Sequence, residues 1–513
     1  MKIRLALLLT LAVTSLAVGQ SSIVEIASGR IEGTTTKAGD IRVFKGIPFA
    51  APPVGNLRWK APQPVKAWAG VRKCTAFGPS PMQDKPAPFR YWSSEFLIPE
   101  APIGEDCLYL NVWTGARSAA EKRPVLVYIY GGGFRSGGAG CAIYDGEAMA
   151  KKGVVFVTVN YRVGVFGFLA HPELSQESGY KASGNYALLD LIAALKWVQK
   201  NAAAFGGNPA NVTIAGQSAG ASAVNYLTAS PLSKGLFHRA IAESGGSFIS
   251  NPSRPTLTLQ SAEQQGVEFA KNLGATSLSE LRNKSAEAIL KASGGLSAPI
   301  VDGYLLPEGI YEIYAKARQN DVPLLLGWNQ DDKVMGAPVK AEVFREQAKK
   351  RFGDQVDAYF AVYPAATEEE SARSQGNSNR DESFAIQDYT WAKMQCQTGK
   401  APVFLYNFNR KVPAHTPQTQ FGAFHTGEVP YAYNNLHTVD RPWEAIDQKI
   451  ADVLSSYWVN FAKTGNPNAR NLPVWPTYKP HQENVQMIDQ IIESRLLPDK
   501  AKLVFWESYY GRK

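Results

Sequence analysis

Apolar and polar positions along the chain follow two alternating periods. Residues 124–130 (PVLVYIY) and 154–161 (VVFVTVNY) are short, unbroken apolar runs, the pattern of strands buried on both faces. Residues 186–205 repeat apolar side chains at helical spacing and stop at Gly206-Gly207, a helix-ending signal. Residues 211–216 (NVTIAG), 322–329 (VPLLLGWN) and 403–409 (VFLYNFN) read as further strands. Strands that alternate with helices predict an α/β chain with a large, mostly parallel central sheet and helices on both faces. Between Asn251 and Asp321 the chain turns polar and helical, which predicts a helical insertion over the sheet edge. There is no tandem repeat, long low-complexity linker or sharp break in composition, so residues 20–513 are expected to form one domain.

Residues 1–19 read differently. Lys2 and Arg4 precede an apolar run over 5–16, and Ala17-Val18-Gly19 supplies the small residues of a cleavage site. The run is too short to span a bilayer comfortably. It predicts a signal peptide and a mature chain that is secreted or periplasmic, with no membrane association after removal. Composition adds limits. With 513 residues, 45% of them apolar and only 19% charged, a large packed core is possible and disorder is not expected. The formal charge of +9 falls by two when Lys2 and Arg4 leave, and the remaining Lys and Arg are scattered. A nucleic-acid partner is therefore not expected. Cys74, Cys107, Cys141 and Cys396 include no CxxC pair, and with six histidines they give no zinc-type spacing, so no metal is expected. Export makes disulfides chemically permissible, with three possible full pairings.

The chemistry concentrates at residues 211–227, NVTIAGQSAGASAVNYL. Here Gly216-Gln217-Ser218-Ala219-Gly220 joins a strand to a helix. Glycines flank the serine because a tight turn leaves no room for bulk. The turn lifts the hydroxyl above the strand ends and aims a helix N-terminus at the reacting centre. This is the G-x-S-x-G nucleophile elbow. A serine needs a base, the base needs an orienting acid, and the oxyanion formed on an attacked carbonyl needs donors. Gly131-Gly132-Gly133-Phe134 follows a strand directly and offers unshielded N–H groups, with Ala219 N–H completing the set. On this elbow the order along the chain is Ser, acid, His, which excludes His171. Of His238, His415, His425, His437 and His481, His425 has the right setting, a Gly-containing loop after the last strong strand run; His238 reads as a helical packing residue. Asp331 and Asp332 both follow the 322–329 strand, and either has the chemistry of the acid.

Together these residues make the chain resemble the type-B carboxylesterase family, the cholinesterase-like α/β-hydrolases, from near Gly29 to about Trp475. The stretches that carry the likeness are FKGIPFAAPPVGNLRWKAPQPVKAW, EDCLYLNVW, FGGNPANVTIAGQSAGA, WVNFAKTGNPN and LPVWPTY. The resemblance implies an α/β-hydrolase fold and hydrolysis of small-molecule carboxylic esters without a cofactor. It implies Ser218 as nucleophile, His425 as base, Asp332 as acid, Gly132, Gly133 and Ala219 as oxyanion donors, and Ser244 as a support for the acid. The alternatives for this chain are a non-catalytic cholinesterase-like binding protein and amide hydrolysis by the same triad. Oligomeric state and natural substrate are not written in these motifs. Tyr91, Trp92, Phe96 and Phe134 are candidates for lining the acyl and alcohol pockets. The chain departs from its relatives in three places. Asp332 stands where they usually carry Glu. Gln217 stands where they usually carry Glu, which argues against a cationic choline ester. Ser80-Pro81-Met82 stands where a cysteine usually bridges to the position of Cys107; Cys74, just upstream, is the candidate substitute for a Cys74–Cys107 bridge, and the pairing of Cys141 and Cys396 is left open.

Overall fold

The computed structural model describes residues 22–249 and 256–511. The expected signal peptide lies outside the described residues. An eleven-stranded sheet organises the chain. Its strands, in chain order, are β1 (Thr34–Thr35), β2 (Arg42–Pro48), β3 (Tyr109–Thr114), β4 (Arg123–Ile129), β5 (Val155–Val159), β6 (Gly207–Gln217), β7 (Arg239–Glu243), β8 (Leu324–Asn329), β9 (Val403–Phe408), β10 (Asn484–Ile488) and β11 (Glu493–Leu496). Across the sheet the order is β11-β10-β9-β8-β7-β6-β4-β5-β3-β2-β1. From β10 to β5 every pairing is parallel. Pairings outside that block are antiparallel. This is the mostly parallel sheet that the apolar runs predict, in the α/β-hydrolase arrangement that the resemblance implies.

Why these segments pair centrally follows from burial. Every residue of β5, β8 and β9 is buried, as are Val125 to Ile129 of β4. Such strands need cover on both faces, and helices supply it. The main ones here are α1 (Tyr186–Asn201), α2 (Ala219–Ala229), α3 (Glu368–Arg380), α4 (Ile386–Thr398) and α5 (Ala445–Thr464). A one-turn π-helix, Asp381–Ala385, joins α3 to α4. One apolar cluster runs through the described residues from Val24 to Trp506. The predicted helical insertion is present as short helices at Leu259–Asn272, Leu278–Arg282, Ala286–Ala292 and Ile310–Ala315. Among the described residues no helix is long and apolar enough to cross a membrane.

Two expectations are corrected. All four cysteines are free, so the Cys74–Cys107 bridge is absent. The reason is placement: the Cys74 sulfur lies against the Gly46 carbonyl beside β2, whereas Cys107 lines a small buried cavity with Met82 and Arg162. Burial pushes the Cys74 thiol up to about 11 and the Cys107 thiol well above its ordinary value. His238 is not helical. It precedes β7, its N–H donates to the Val212 carbonyl at 2.7 Å, and its Nδ1 accepts from Val212 N–H at 3.1 Å.

Candidate active site

Ser218 sits between β6 and α2 with φ 58° and ψ −122°, a left-handed backbone that non-glycine residues rarely adopt. Packing enforces the strain. Gly220 crosses β4 so closely that a Cβ there would lie 2.1 Å from the Ile129 carbonyl oxygen. The Ser218 N–H donates to the Glu243 carbonyl at the end of β7 (2.8 Å), and its own carbonyl receives Ser222 N–H (2.9 Å). The turn is thus pinned on both sides, and the Ser218 side chain is half-buried at the head of α2.

The glycine loop after β4 abuts this turn. A Cβ on Gly131 would lie 2.6 Å from the Gln217 carbonyl oxygen and 3.0 Å from Ser218 Cβ. Gly132 (φ 111°) and Gly133 (φ 63°) are exposed. The Gly132 carbonyl is held by Arg135 and Ser136 N–H groups at 3.0 and 3.1 Å, which closes the loop into a turn. Among the described residues the Gly132 and Gly133 N–H groups donate to no acceptor. Ala219 N–H, in the first turn of α2, has no intrahelical acceptor either.

His425 Nδ1 meets Asp332 Oδ1 at 2.5 Å, and the two residues are 2% and 0% exposed. The other Asp332 oxygen accepts the Asn329 N–H at 3.1 Å. The neighbouring acid has a different task. Asp331 Oδ2 accepts Ala423 N–H at 2.8 Å, and the Asp331 N–H donates to the Ala423 carbonyl at 3.0 Å. Asp331 therefore laces the acid's loop to the base's loop, while Asp332 touches the imidazole. Phe384, from the π-helical turn, stacks on the His425 ring at 4.5 Å and 19°, and Trp92 stands edge-on at 6.2 Å. Such single π turns recur at functional sites.

Between Ser218 and His425 no direct hydrogen bond is made. Gln217 also meets the imidazole, with its amide nitrogen 3.3 Å from Nε2. Ser244, the expected support for the acid, is fully buried just after β7. Its hydroxyl has no hydrogen-bond partner among the described residues, and its N–H donates to the Gly327 carbonyl at 2.7 Å. The aromatic candidates fall into two groups. Tyr91 and Phe96 pack on Phe424 of the base's loop, and Trp92 on Tyr91. Phe134 packs on Phe168, Tyr161 and Tyr226 beyond the glycine loop.

Sequence reasoning missed the buried acids behind the pair. Burial raises the Glu243 carboxyl to about 8, and it accepts from Trp458 Nε1 at 2.6 Å and Tyr433 OH at 3.2 Å. Burial also pushes Asp388 and Glu428 well above the usual carboxylate range, and Asp332 adds to both shifts. Glu428 is also hydrogen-bonded to the Asn329 amide. No local pattern marked these residues; only the fold collects them.

A family profile described as "Carboxylesterase family" matches residues 20–506. The fumonisin B1 esterase of Sphingopyxis macrogoltabida is 37% identical over 90% of this chain and 86% of its own length. The para-nitrobenzyl esterase of Bacillus subtilis is 34% identical over 94% of this chain and 97% of its own. A solved PNB esterase structure superimposes with a TM-score of 0.79 at 33% identity, covering 94% of this chain and all of that one. The strained serine turn, the histidine–aspartate pair and these likenesses agree, and the chain belongs to the carboxylesterase family of carboxylic-ester hydrolases.

Proposed function

We propose that the chain cleaves carboxylic esters through an acyl-enzyme on Ser218, with His425 as general base and Asp332 as its orienting acid. A carboxylate only accepts, so Nδ1 of His425 carries the hydrogen facing Asp332 and the Nε2 lone pair is left for the serine proton. Ser218 Oγ gives its proton to Nε2 and bonds to the ester carbonyl carbon. The carbonyl oxygen, now negative, turns to the N–H groups of Gly132, Gly133 and Ala219. The imidazolium passes the proton to the leaving alkoxide as the C–O bond breaks. A water then loses a proton to Nε2, attacks the acyl carbon and releases the acid, returning the proton to Ser218. The missing Ser218–His425 hydrogen bond fits a resting site, where such contacts are often long and tighten with substrate.

The observation that carries this reading is the 2.5 Å His425–Asp332 contact, set beside a strained serine turn and a loop with unspent N–H groups. The test is turnover of a short-chain nitrophenyl ester. A pre-steady-state burst is expected, along with a rate that falls on the acid side as His425 gains a proton. Asp332→Asn is expected to lower kcat by on the order of ten-thousandfold through the wrong tautomer. Full activity in folded His425→Ala would overturn the assignment. The N-terminal pattern supports a further part of the proposal, that the chain acts outside the cytoplasm; cleavage near residue 19 on expression with its leader is the check.

A further inference from the structure

Gln217, the residue before the nucleophile, is 2% exposed, and its amide nitrogen lies 3.5 Å from Nδ1 and 3.3 Å from Nε2 of His425. A partner in line with one ring nitrogen would be much farther from the other. Near-equal distances therefore put the amide off both in-plane axes. It touches the ring without displacing Asp332 from Nδ1 and without blocking the Nε2 lone pair. Phe384 already covers one face of the ring.

A relay of hydrogen bonds runs from Trp92 to the oxygen end of the carboxamide. The Trp92 indole N–H can only donate, and it reaches Thr426 Oγ1 at 3.1 Å. The Thr426 hydroxyl in turn donates to Gln217 Oε1, 3.5 Å away. With Oε1 accepting, the NH2 group is the end turned to the imidazole. Thr426 keeps this place at φ 76°, a backbone in which a β-branched residue is strained, so the surroundings hold it there against a cost.

We propose that Gln217 is a positioning residue for the general base, and that its donor end, set by Trp92 through Thr426, keeps His425 unprotonated to lower pH than a carboxylate at this position would. An N–H dipole aimed at the ring disfavours the imidazolium, whereas a carboxylate oxygen there would favour it. The other ionisable groups around the base come from several elements. Asp332 holds Nδ1. Asp388 from α4, Glu428 from the base's own loop and Glu243 from β7 are all raised by burial. The Tyr91 hydroxyl, whose ring packs on Phe424, is raised as well and donates to the Lys333 carbonyl.

The inference rests on His425 being the base. It is tested by pH profiles of kcat/KM on a neutral nitrophenyl ester for wild type, Gln217→Glu, Gln217→Met and Trp92→Phe, with near-UV circular dichroism and fluorophosphonate labelling of Ser218 on each. Gln217→Glu is expected to move the acid limb up by about one pH unit. Gln217→Met, of similar size without the amide, is expected to lower kcat with KM little changed. Trp92→Phe removes the end donor, lets the carboxamide turn over, and is expected to move the limb the same way by less. If Gln217→Glu fails to fold, Trp92→Phe carries the test. Folded, labelled variants whose limbs coincide with wild type would overturn the inference alone. A wild type without an acid limb would overturn the base assignment and this inference with it.

Discussion

Replacing Glu243 by Gln tests whether the acids behind the catalytic pair are held neutral. Glu243 is fully buried, and burial raises its carboxyl from the ordinary 4.5 to about 8. Between those two pH values the folded chain keeps a proton that the unfolded chain has lost. Stability contributed by the neutral group is complete below pH 4.5 and is lost as pH rises toward 8, at about 1.4 kcal/mol per unit. From pH 5.5 to 7.5 wild type should therefore lose about 2–3 kcal/mol relative to Glu243→Gln, which has nothing to titrate at this position but still offers an oxygen to Trp458 and Tyr433. An unfolding entropy of roughly 2.1 cal/mol/K per residue over 513 residues is roughly 1 kcal/mol/K. The difference in Tm between variant and wild type should then grow by about 2 °C across that window. Differential scanning calorimetry of both proteins at several pH values reads it directly, since every other group titrates in both. A difference that stays flat, or that shrinks with rising pH, would refute the burial argument.

Gly131→Ala places a methyl 2.6 Å from the Gln217 carbonyl and 3.0 Å from Ser218 Cβ, so kcat/KM on a nitrophenyl ester should fall by about a hundredfold or more as the nucleophile shifts. Asp190→Asn leaves the buried Arg162 guanidinium, now held at 2.7 and 2.8 Å, without a counter-charge, and chemical denaturation should show a loss of about 3–5 kcal/mol. Thiol titration of the denatured, unreduced protein should count four free cysteines; a count of two would contradict the placement of Cys74 and Cys107 in separate environments.

The central strands were legible because burial on both faces removes polar residues from them, as in the run from Val125 to Ile129. Flanking strands were not. β2 carries Lys45 and Gly46 at a register shift between Phe44 and Ile47, which breaks any alternation. Helix α3 buries Ser371, Ser374, Gln375 and Ser378, so its inner face has no apolar stripe to read. At the site, Ser218 and the glycine loop each announce themselves within a few residues; chain order removes only His171, and the Gly-containing loop after the last strong strand run points to His425. Asp331 and Asp332 are adjacent and chemically alike, and composition could not separate them. Only the fold turns one toward Ala423 and the other toward His425. The contact of Trp92, Thr426 and Gln217 joins three distant parts of the chain, so no local motif could carry it.

The most direct measurement is covalent labelling with a fluorophosphonate followed by peptide mass spectrometry. One adduct per chain, on the peptide that contains Ser218, absent from folded Ser218→Ala and strongly slowed in His425→Ala, is the expected result. An adduct on another residue, or undiminished labelling of folded Ser218→Ala, would contradict a nucleophile at the β6–α2 turn.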